Sequence, residues 1–132
     1  MAVDVHVVTP QREVWSGAAE MVIARGVAGE VGVLAGHAPL LIQLAIGPLR
    51  IQQEAAGGEV RAVVDGGFLH VSTGSEGTRV DVMAVDAELQ EEIDLEAATR
   101  TQQELAGRDD DESKQALARA AARVDLRSRD RS

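Results

Sequence analysis

The chain has 132 residues, 45% of them apolar, which suffices for one packed domain or a small domain with an appendage. Its formal net charge of -9 excludes a general binder of nucleic acids or anionic lipids, because both need a positive field. The chain contains no cysteine, so disulfides and thiolate chemistry are excluded, which fits a cytosolic protein.

Short strands separated by glycine and proline are predicted as far as about Val85. They cover residues 3–8, 14–24 with a bend or bulge at Ser16-Gly17, 30–34, 40–46 ending at Gly47-Pro48, 49–53, 60–64, 68–71 and 78–85. Turns are predicted at Ala56-Gly57-Gly58 and at Asp65-Gly66-Gly67. This many short strands at close spacing predicts an all-β sandwich or barrel.

A helical hairpin is predicted after the strands. Asp94 is a good N-cap for a first helix that ends at Ala106-Gly107, and the acidic run 109–112 begins a second one. Because helices of this length are marginal alone in water, the hairpin must pack on the sandwich or on another protein. The predicted architecture is an α+β arrangement, with a β-sandwich over residues 1–86 and an antiparallel two-helix hairpin over residues 87–132.

The apolar stretch 31–49 has nearly the length of a membrane span, but five residues that break helices interrupt it. They are Gly32, Gly36, Pro39, Gly47 and Pro48. The flanks lack clustered basic residues, and the first residues do not resemble a signal peptide. We therefore predict a soluble chain that does not insert into lipid.

No catalytic or metal-binding set emerges from the sequence. His6, His37 and His70 share no ligand spacing, so three unrelated histidines are favoured over a zinc site. Lys114 is the only lysine, and it lies outside the sandwich half. A phosphate-binding loop and a lysine-bearing carrier domain are therefore both excluded.

The stretch 29–41 reads G-E-V-G-V-L-A-G-H-A-P-L-L. It resembles the signature G-E-[IL]-G-[IV]-x-P-G-H-A-P-L-[LI] of the epsilon subunit of bacterial rotary ATP synthases. Four further segments resemble the same family in the same order. They are V-V-T-P (7–10), V-D-G-G-F-L (64–69), I-D-L-E-A-A (93–98) and A-L-A-R-A (116–120).

The resemblance implies a β-sandwich of about 10 short strands followed by a two-helix hairpin. It implies a non-catalytic rotor subunit of the central stalk, peripheral on the cytoplasmic face of the bacterial plasma membrane. We also expect a monomer in isolation. The sandwich would bind the gamma subunit and the c-ring, coupling proton-driven rotation of the ring to the catalytic head. The hairpin would contact the alpha/beta head and inhibit ATP hydrolysis.

Within the signature, Glu30 and His37 match family positions near the c-ring contact. The resemblance implies recognition rather than catalysis for both residues. A contact that bears torque needs one loop shape, and proline with glycines at the bends can fix it. The residues concerned are Gly29, Gly32, Gly36 and Pro39. Ala35 stands where the family usually has proline, which loosens this restriction.

Some family members bind ATP on the folded hairpin. Glu88, Asp94, Arg119 and Arg123 match that set of residues. Ala97 and Glu104, however, stand where the family has arginines. With two cations missing and one reversed in sign, we predict no ATP sensing at physiological concentrations and no cofactor.

Arg119, Arg123 and Arg127 are spaced by four residues and so share one face of the second helix. They are either a solvated helix end or a basic finger that docks on an acidic protein surface. Our hypothesis is that they meet the catalytic head when the hairpin extends.

Two other readings stay open on the residues alone. One is a free-standing sandwich that binds a small ligand or metal through its histidines. The other is an adaptor whose hairpin docks an unrelated helical partner.

Overall fold

The computed structural model describes residues 2–53 and 58–129, which form nine β-strands followed by two α-helices. The strands are β1 (Val3–Val8), β2 (Glu13–Ala19), β3 (Met21–Gly26), β4 (Gly29–Leu34), β5 (Leu40–Gln52), β6 (Glu59–Asp65), β7 (Phe68–Gly74), β8 (Gly77–Met83) and β9 (Asp86–Leu89). A 3-10 turn, Gln90–Glu92, leads to α1 (Leu95–Leu105) and α2 (Asp111–Arg129). The predicted α+β arrangement is confirmed. Ala56 and Gly57 of the predicted turn lie outside the described residues.

The strands form two layers that share β5. One layer has the order β2-β1-β8-β7-β5, and the other has the order β4-β3-β5-β6-β9. Strands β1 and β8 run parallel, and every other described pair runs antiparallel. The described strands do not close into a barrel, so the predicted sandwich is confirmed. Alternate side chains of the strands, most of them valine, fill the space between the layers.

Strand β5 is one strand of 13 residues, whereas the sequence predicts two strands separated at Gly47-Pro48. Its first residues pair with β7, and from Gly47 onward it pairs with β6. Against β3 the register jumps, because Leu44 pairs with Gly26 and Leu49 pairs with Ala24. Pro48 therefore lies at a bulge, where its missing N–H costs no ladder bond to β3, and the strand continues into the second layer.

The predicted strand 14–24 is two strands, because the chain passes from one layer to the other at Glu20. The bulge also lies elsewhere than predicted. Val7 pairs with Trp15 and Val8 pairs with Glu13, so the register shifts there and not at Ser16-Gly17. Gly17 instead leaves room for the indole of Trp15, whose Cη2 would lie 2.9 Å from a Cβ at this position.

The sheet continues past residue 86, because Asp86–Leu89 forms β9 and pairs with β6. The sequence pattern predicts no strand over these residues. Val64 pairs with Ala87, whose side chain is buried in the main core. The last strand thus brings the start of the helical segment beside the outer edge of β6.

The two helices begin as predicted. The Asp94 carboxylate accepts a hydrogen bond from the Ala97 N–H (3.1 Å), and Asp110 accepts one from the Ser113 N–H (2.9 Å). The hairpin packs on the sandwich through a second apolar cluster, formed by Val63 of β6, Ile93 and Leu126. Within the described part of the chain, no helix has the length and apolar character needed to cross a membrane.

Candidate functional site

Glu30 and His37 lie at opposite ends of β4. Glu30 is the second residue of the strand and pairs with Arg25, while His37 follows the strand in the loop that leads to β5. At about 3.3 Å per residue, the strand separates Glu30 from Leu34 by roughly 13 Å, and His37 lies beyond it. The structure therefore does not bring the two predicted contact residues together at one point.

The signature loop, residues 35–39, has one defined turn. The His37 N–H donates to the Leu34 carbonyl (3.1 Å), and Gly36 has a φ of 86°, which favours glycine. The His37 ring bonds its own loop, because Nδ1 lies 2.7 Å from the Ala38 carbonyl oxygen. Of the other predicted loop residues, Gly29 begins β4 and Pro39 precedes β5. Gly32 lies within β4, so its prediction as a bend residue is wrong.

Gly32 has a packing role in the strand. A Cβ at this position would lie 2.6 Å from the Met21 methyl carbon on the neighbouring strand β3. The glycine thus makes room for the methionine side chain. Close packing between two strands therefore explains the glycine at this position of the signature.

Asp65-Gly66-Gly67 joins β6 to β7, as predicted for a strand-joining turn. Both glycines have positive φ, and a Cβ on Gly67 would lie 2.8 Å from the Ala84 Cα. The Gly67 carbonyl accepts a hydrogen bond from the Leu44 N–H (2.8 Å), which ties the turn to β5. The Asp65 carboxylate at the start of the turn lies 3.4 Å from Arg119 Nε of α2.

Two arginines of α2 reach the sandwich. Arg119 faces Asp65, and Arg123 Nε lies 3.0 Å from Glu88 Oε1, with Asp86 at 3.7 Å from the same guanidinium. We call these pairs the arginine clamp. Both arginine side chains are about one quarter exposed, so solvent screens them only in part. Arg127 lies one further turn along α2.

The four residues that match the ATP-binding set line one open cleft of about 340 Å³ between the hairpin and the sandwich. They are Glu88, Asp94, Arg119 and Arg123. The structure thus brings the predicted set together. Its cations are already neutralised, because each guanidinium of the arginine clamp faces a carboxylate of the sandwich. Alanines and Thr101 line the rest of the cleft and supply no further cation.

An exposed apolar strip, which was not predicted from the sequence, lies on the outer face of the first layer. Phe68 pairs in register with Met83, and Leu41 lies on the adjacent strand β5. These side chains are 48%, 42% and 61% exposed, respectively. The alternation in β7 could have predicted this strip. Because Leu69 points into the core, the preceding Phe68 must point outward. Apolar side chains grouped on a face of this kind are typical of protein interfaces.

A carboxylate held by two arginines lies on the outer face of the second layer and was also missed. Glu59 Oε1 lies 2.6 Å from Arg61 Nε, and its Oε2 lies 3.1 Å from Arg50 Nη2. Burial acts to raise the pKa of Glu59, but hydrogen bonds from Arg50 and Arg61 outweigh it and lower the pKa to about 2. The same contact raises the pKa of Arg50.

The three histidines do not converge. His6 Nε2 lies 3.1 Å from Asp4 Oδ1, while His37 lies in the signature loop and His70 lies on β7. Across residues 2–53 and 58–129, no group of three or more histidines and carboxylates is arranged to hold a metal ion.

The chain matches the model of the ATP synthase delta/epsilon chain β-sandwich domain over residues 2–90. It is 48% identical over 95 residues to an ATP synthase epsilon chain of Thermobifida fusca, covering 71% of this chain and 67% of that one. It is 42% identical over 131 residues to the epsilon chain of Streptomyces griseus, covering 98% and 96% of the two chains.

Two solved assemblies contain similar folds. A chain of the Euglena gracilis mitochondrial ATP synthase, in a structure of OSCP, F1 and the c-ring, aligns with a TM-score of 0.76 and 28% identity. The alignment covers 92% of this chain and 78% of that chain. A chain of the Tetrahymena thermophila mitochondrial ATP synthase central stalk and c-ring aligns with a TM-score of 0.61 at 17% identity, covering 98% and 96%. The comparisons give no support to a free-standing ligand-binding sandwich or to an adaptor.

Proposed function

Because the chain belongs to the epsilon subunits of ATP synthase, which are non-catalytic subunits of the central stalk, we propose that it couples rotation of the c-ring to the catalytic head through the gamma subunit. As such a subunit it is part of a membrane-associated complex. A position on the cytoplasmic face of the bacterial plasma membrane is part of the proposal. Coupling of this kind needs two separate binding surfaces, one for each partner.

The apolar strip is the observation that carries the proposed contact with gamma. Leu41, Phe68 and Met83 expose apolar surface on a face that otherwise carries polar side chains such as His70 and Asp81. A rigid sheet surface with an apolar centre and a polar rim matches the anatomy of protein interfaces. The adjoining signature loop extends this surface at its His37 end.

The other end of β4 supplies the proposed c-ring contact. Val27, in the turn before β4, is 63% exposed, and the neighbouring Glu30 is exposed as well. Because β4 separates Glu30 from His37, we assign them to two contacts rather than to one. The Glu30 end faces the ring in this proposal, and the His37 end faces the stalk.

The arginine clamp supports a regulatory role for the hairpin. Arg119 and Arg123 bind carboxylates of the sandwich when the hairpin is packed as described. The same two guanidiniums, together with Arg127, are the groups proposed to meet acidic side chains of the alpha/beta head in an extended hairpin. One arginine cannot serve both sets of carboxylates, so the packed hairpin is the uninhibited state in this proposal. Nucleotide plays no part in it.

Copurification from cells that express the whole complex tests the proposed assembly. Phe68→Glu places a charge in the centre of the apolar strip, whereas Ser75→Glu adds the same charge to an exposed loop of the same layer. We expect Phe68→Glu to abolish copurification of gamma with a tagged chain, and Ser75→Glu to preserve it. Equal recovery of gamma with both variants would contradict the assigned surface.

A further inference from the structure

Two threonines of the β7–β8 hairpin are bonded to the signature loop. The Gly36 N–H donates to Thr78 Oγ1 at 2.7 Å, and Thr73 Oγ1 donates to the His37 carbonyl at 2.7 Å. The two hydroxyl oxygens lie 3.2 Å apart. Thr78 is buried, with only 4% of its surface exposed, although it is a polar residue.

The donors and acceptors in this chain of hydrogen bonds have one consistent direction. A carbonyl oxygen only accepts, so the single hydroxyl proton of Thr73 is used on His37. Thr78 must then donate its proton to Thr73, and it accepts the Gly36 N–H with a lone pair. The result is a relay from the Gly36 amide through Thr78 and Thr73 to the His37 carbonyl, in which every hydroxyl proton is bonded.

The same loop fixes the ring of His37. Nδ1 lies 2.7 Å from the Ala38 carbonyl oxygen, which can only accept, so Nδ1 carries the proton of the neutral ring. Nε2 is then the acceptor of the ring. The tautomer of the ring depends on the position of the Ala38 carbonyl. The relay holds the backbone just before this carbonyl, at the Gly36 N–H and the His37 carbonyl.

We propose that Thr73 and Thr78 are positioning residues that hold the signature loop and set the tautomer of His37 for its contact in the assembled stalk. The inference rests on the proposed function for its biological meaning, though not for its geometry. It explains how the loop keeps one shape with Ala35 where the signature has proline, because side-chain hydrogen bonds replace the ring constraint. The partner group that fits Nε2 is a hydrogen-bond donor.

Nitrogen-15 NMR of the histidine rings in the isolated full-length chain tests the geometry. At a pH where His37 is neutral, we expect the Nδ1-protonated tautomer in the unaltered chain and in Thr78→Ser. Thr78→Val keeps the side-chain shape but leaves the Gly36 amide without its acceptor, and should give mixed tautomers at His37. Thr101→Val is the matched control, because its hydroxyl donates to the Ala97 carbonyl within its own helix.

Thr73→Val provides a second variant, since Thr73 is exposed and its substitution leaves the core intact. It should disturb His37 in the same manner, and Thr73→Ser should restore the original spectrum. A His37 spectrum unchanged in Thr73→Val and in folded Thr78→Val would overturn the inference, whatever the function of the chain.

The functional part is tested in the assembled complex by ATP-driven proton pumping per ATP hydrolysed. With a lost hydrogen bond in the contact, we expect Thr73→Val to weaken retention of the chain in the complex roughly fivefold and to lower pumping, with rescue by Thr73→Ser. His37→Ala should do the same. If His37→Ala leaves both quantities unchanged while Thr73→Val alters the NMR spectrum, the contact assigned to His37 is wrong and the relay stands as a loop constraint only.

Discussion

Arg123 Nε lies 3.0 Å from Glu88 Oε1, and this ion pair joins the second helix to the last strand of the sandwich. It is partly buried, with the two side chains 24% and 31% exposed. The pair therefore links the hairpin to the sandwich through a group that the family resemblance assigns to nucleotide binding. In this chain the arginine has a carboxylate of the sandwich as a partner.

Changes to the two partners of this pair should act in opposite directions on ATP hydrolysis. Glu88→Gln releases the hairpin but leaves Arg123 available for the catalytic head, so we expect lower hydrolysis by the assembled enzyme. Arg123→Glu releases the hairpin and also removes its docking cation, so hydrolysis should rise. Each change should cost about 1–2 kcal/mol of hairpin packing, measured by hydrogen exchange of α2 amides in the isolated chain.

The charge-swapped double variant, Glu88→Arg with Arg123→Glu, is the control for packing. It should restore slow exchange in α2 without restoring inhibition. If Glu88→Gln and Arg123→Glu shift hydrolysis in the same direction, the two alternative partners of Arg123 are not the basis of regulation.

ATP should bind this chain with a dissociation constant of about 1 mM or weaker, because both cations of the cleft face carboxylates. Ala97→Arg returns one missing cation to the cleft lining and should tighten binding by roughly tenfold. Thr99→Arg adds the same charge to the same helix outside that cleft and should have no effect. Isothermal titration calorimetry measures all three, and micromolar binding by the unaltered chain would refute the account.

The stability of the sandwich should depend on pH through Glu59. Its pKa is lowered to about 2 in the folded chain, so folding favours the carboxylate. The stabilisation is fully present above the ordinary pKa of about 4.5 and declines as the pH falls toward about 2. Glu59→Gln should therefore cost roughly 1–2 kcal/mol at pH 7, and this difference should shrink below about pH 4.5.

Urea unfolding at a series of pH values measures this difference. Glu76→Gln, which removes one carboxylate from an exposed loop, is the matched control and should show no comparable loss. A Glu59→Gln difference that stays constant between pH 7 and pH 3 would contradict the role of the two arginines.

Gly67→Ala should destabilise the fold strongly. Gly67 has a φ of 97°, and a Cβ would lie 2.8 Å from the Ala84 Cα, so both strain and a backbone clash oppose the change. We expect a loss of roughly 3 kcal/mol or more in the free energy of unfolding. Gly74→Ala has open space around its Cβ and should cost less than about 1 kcal/mol. If Gly67→Ala lowers the free energy of unfolding as little as Gly74→Ala does, the turn tolerates a side chain and this prediction is wrong.

The sequence predicts the elements whose pattern is local. Alternating valines give β1 and β8, and Asp94 and Asp110 mark the helix starts through hydrogen bonds within one turn. The positions that fail depend on partners far along the chain. Pro48 does not end its strand, and Glu20 does not continue one. In both cases the pairing of the flanking residues with strands far along the chain decides where a strand ends.

The same distinction applies to the candidate site. Glu88, Asp94, Arg119 and Arg123 share a cleft as the family resemblance implies, but their pairing into a clamp depends on how β9 and α2 meet. The sequence also could not show that Thr73 and Thr78 bond the signature loop. Those hydrogen bonds span 36 and 42 residues of chain, and no local spacing signals them.

Proton pumping in inverted membranes from cells that lack this chain tests the central claim most directly. ATP-driven pumping, measured beside ATP hydrolysis in the same vesicles, should be low without the chain and should return when the full-length chain is added back. Phe68→Glu should fail to restore pumping, whereas Ser75→Glu should restore it. Pumping that is equal with and without the chain, in membranes where the rest of the complex is intact, would contradict its role in coupling.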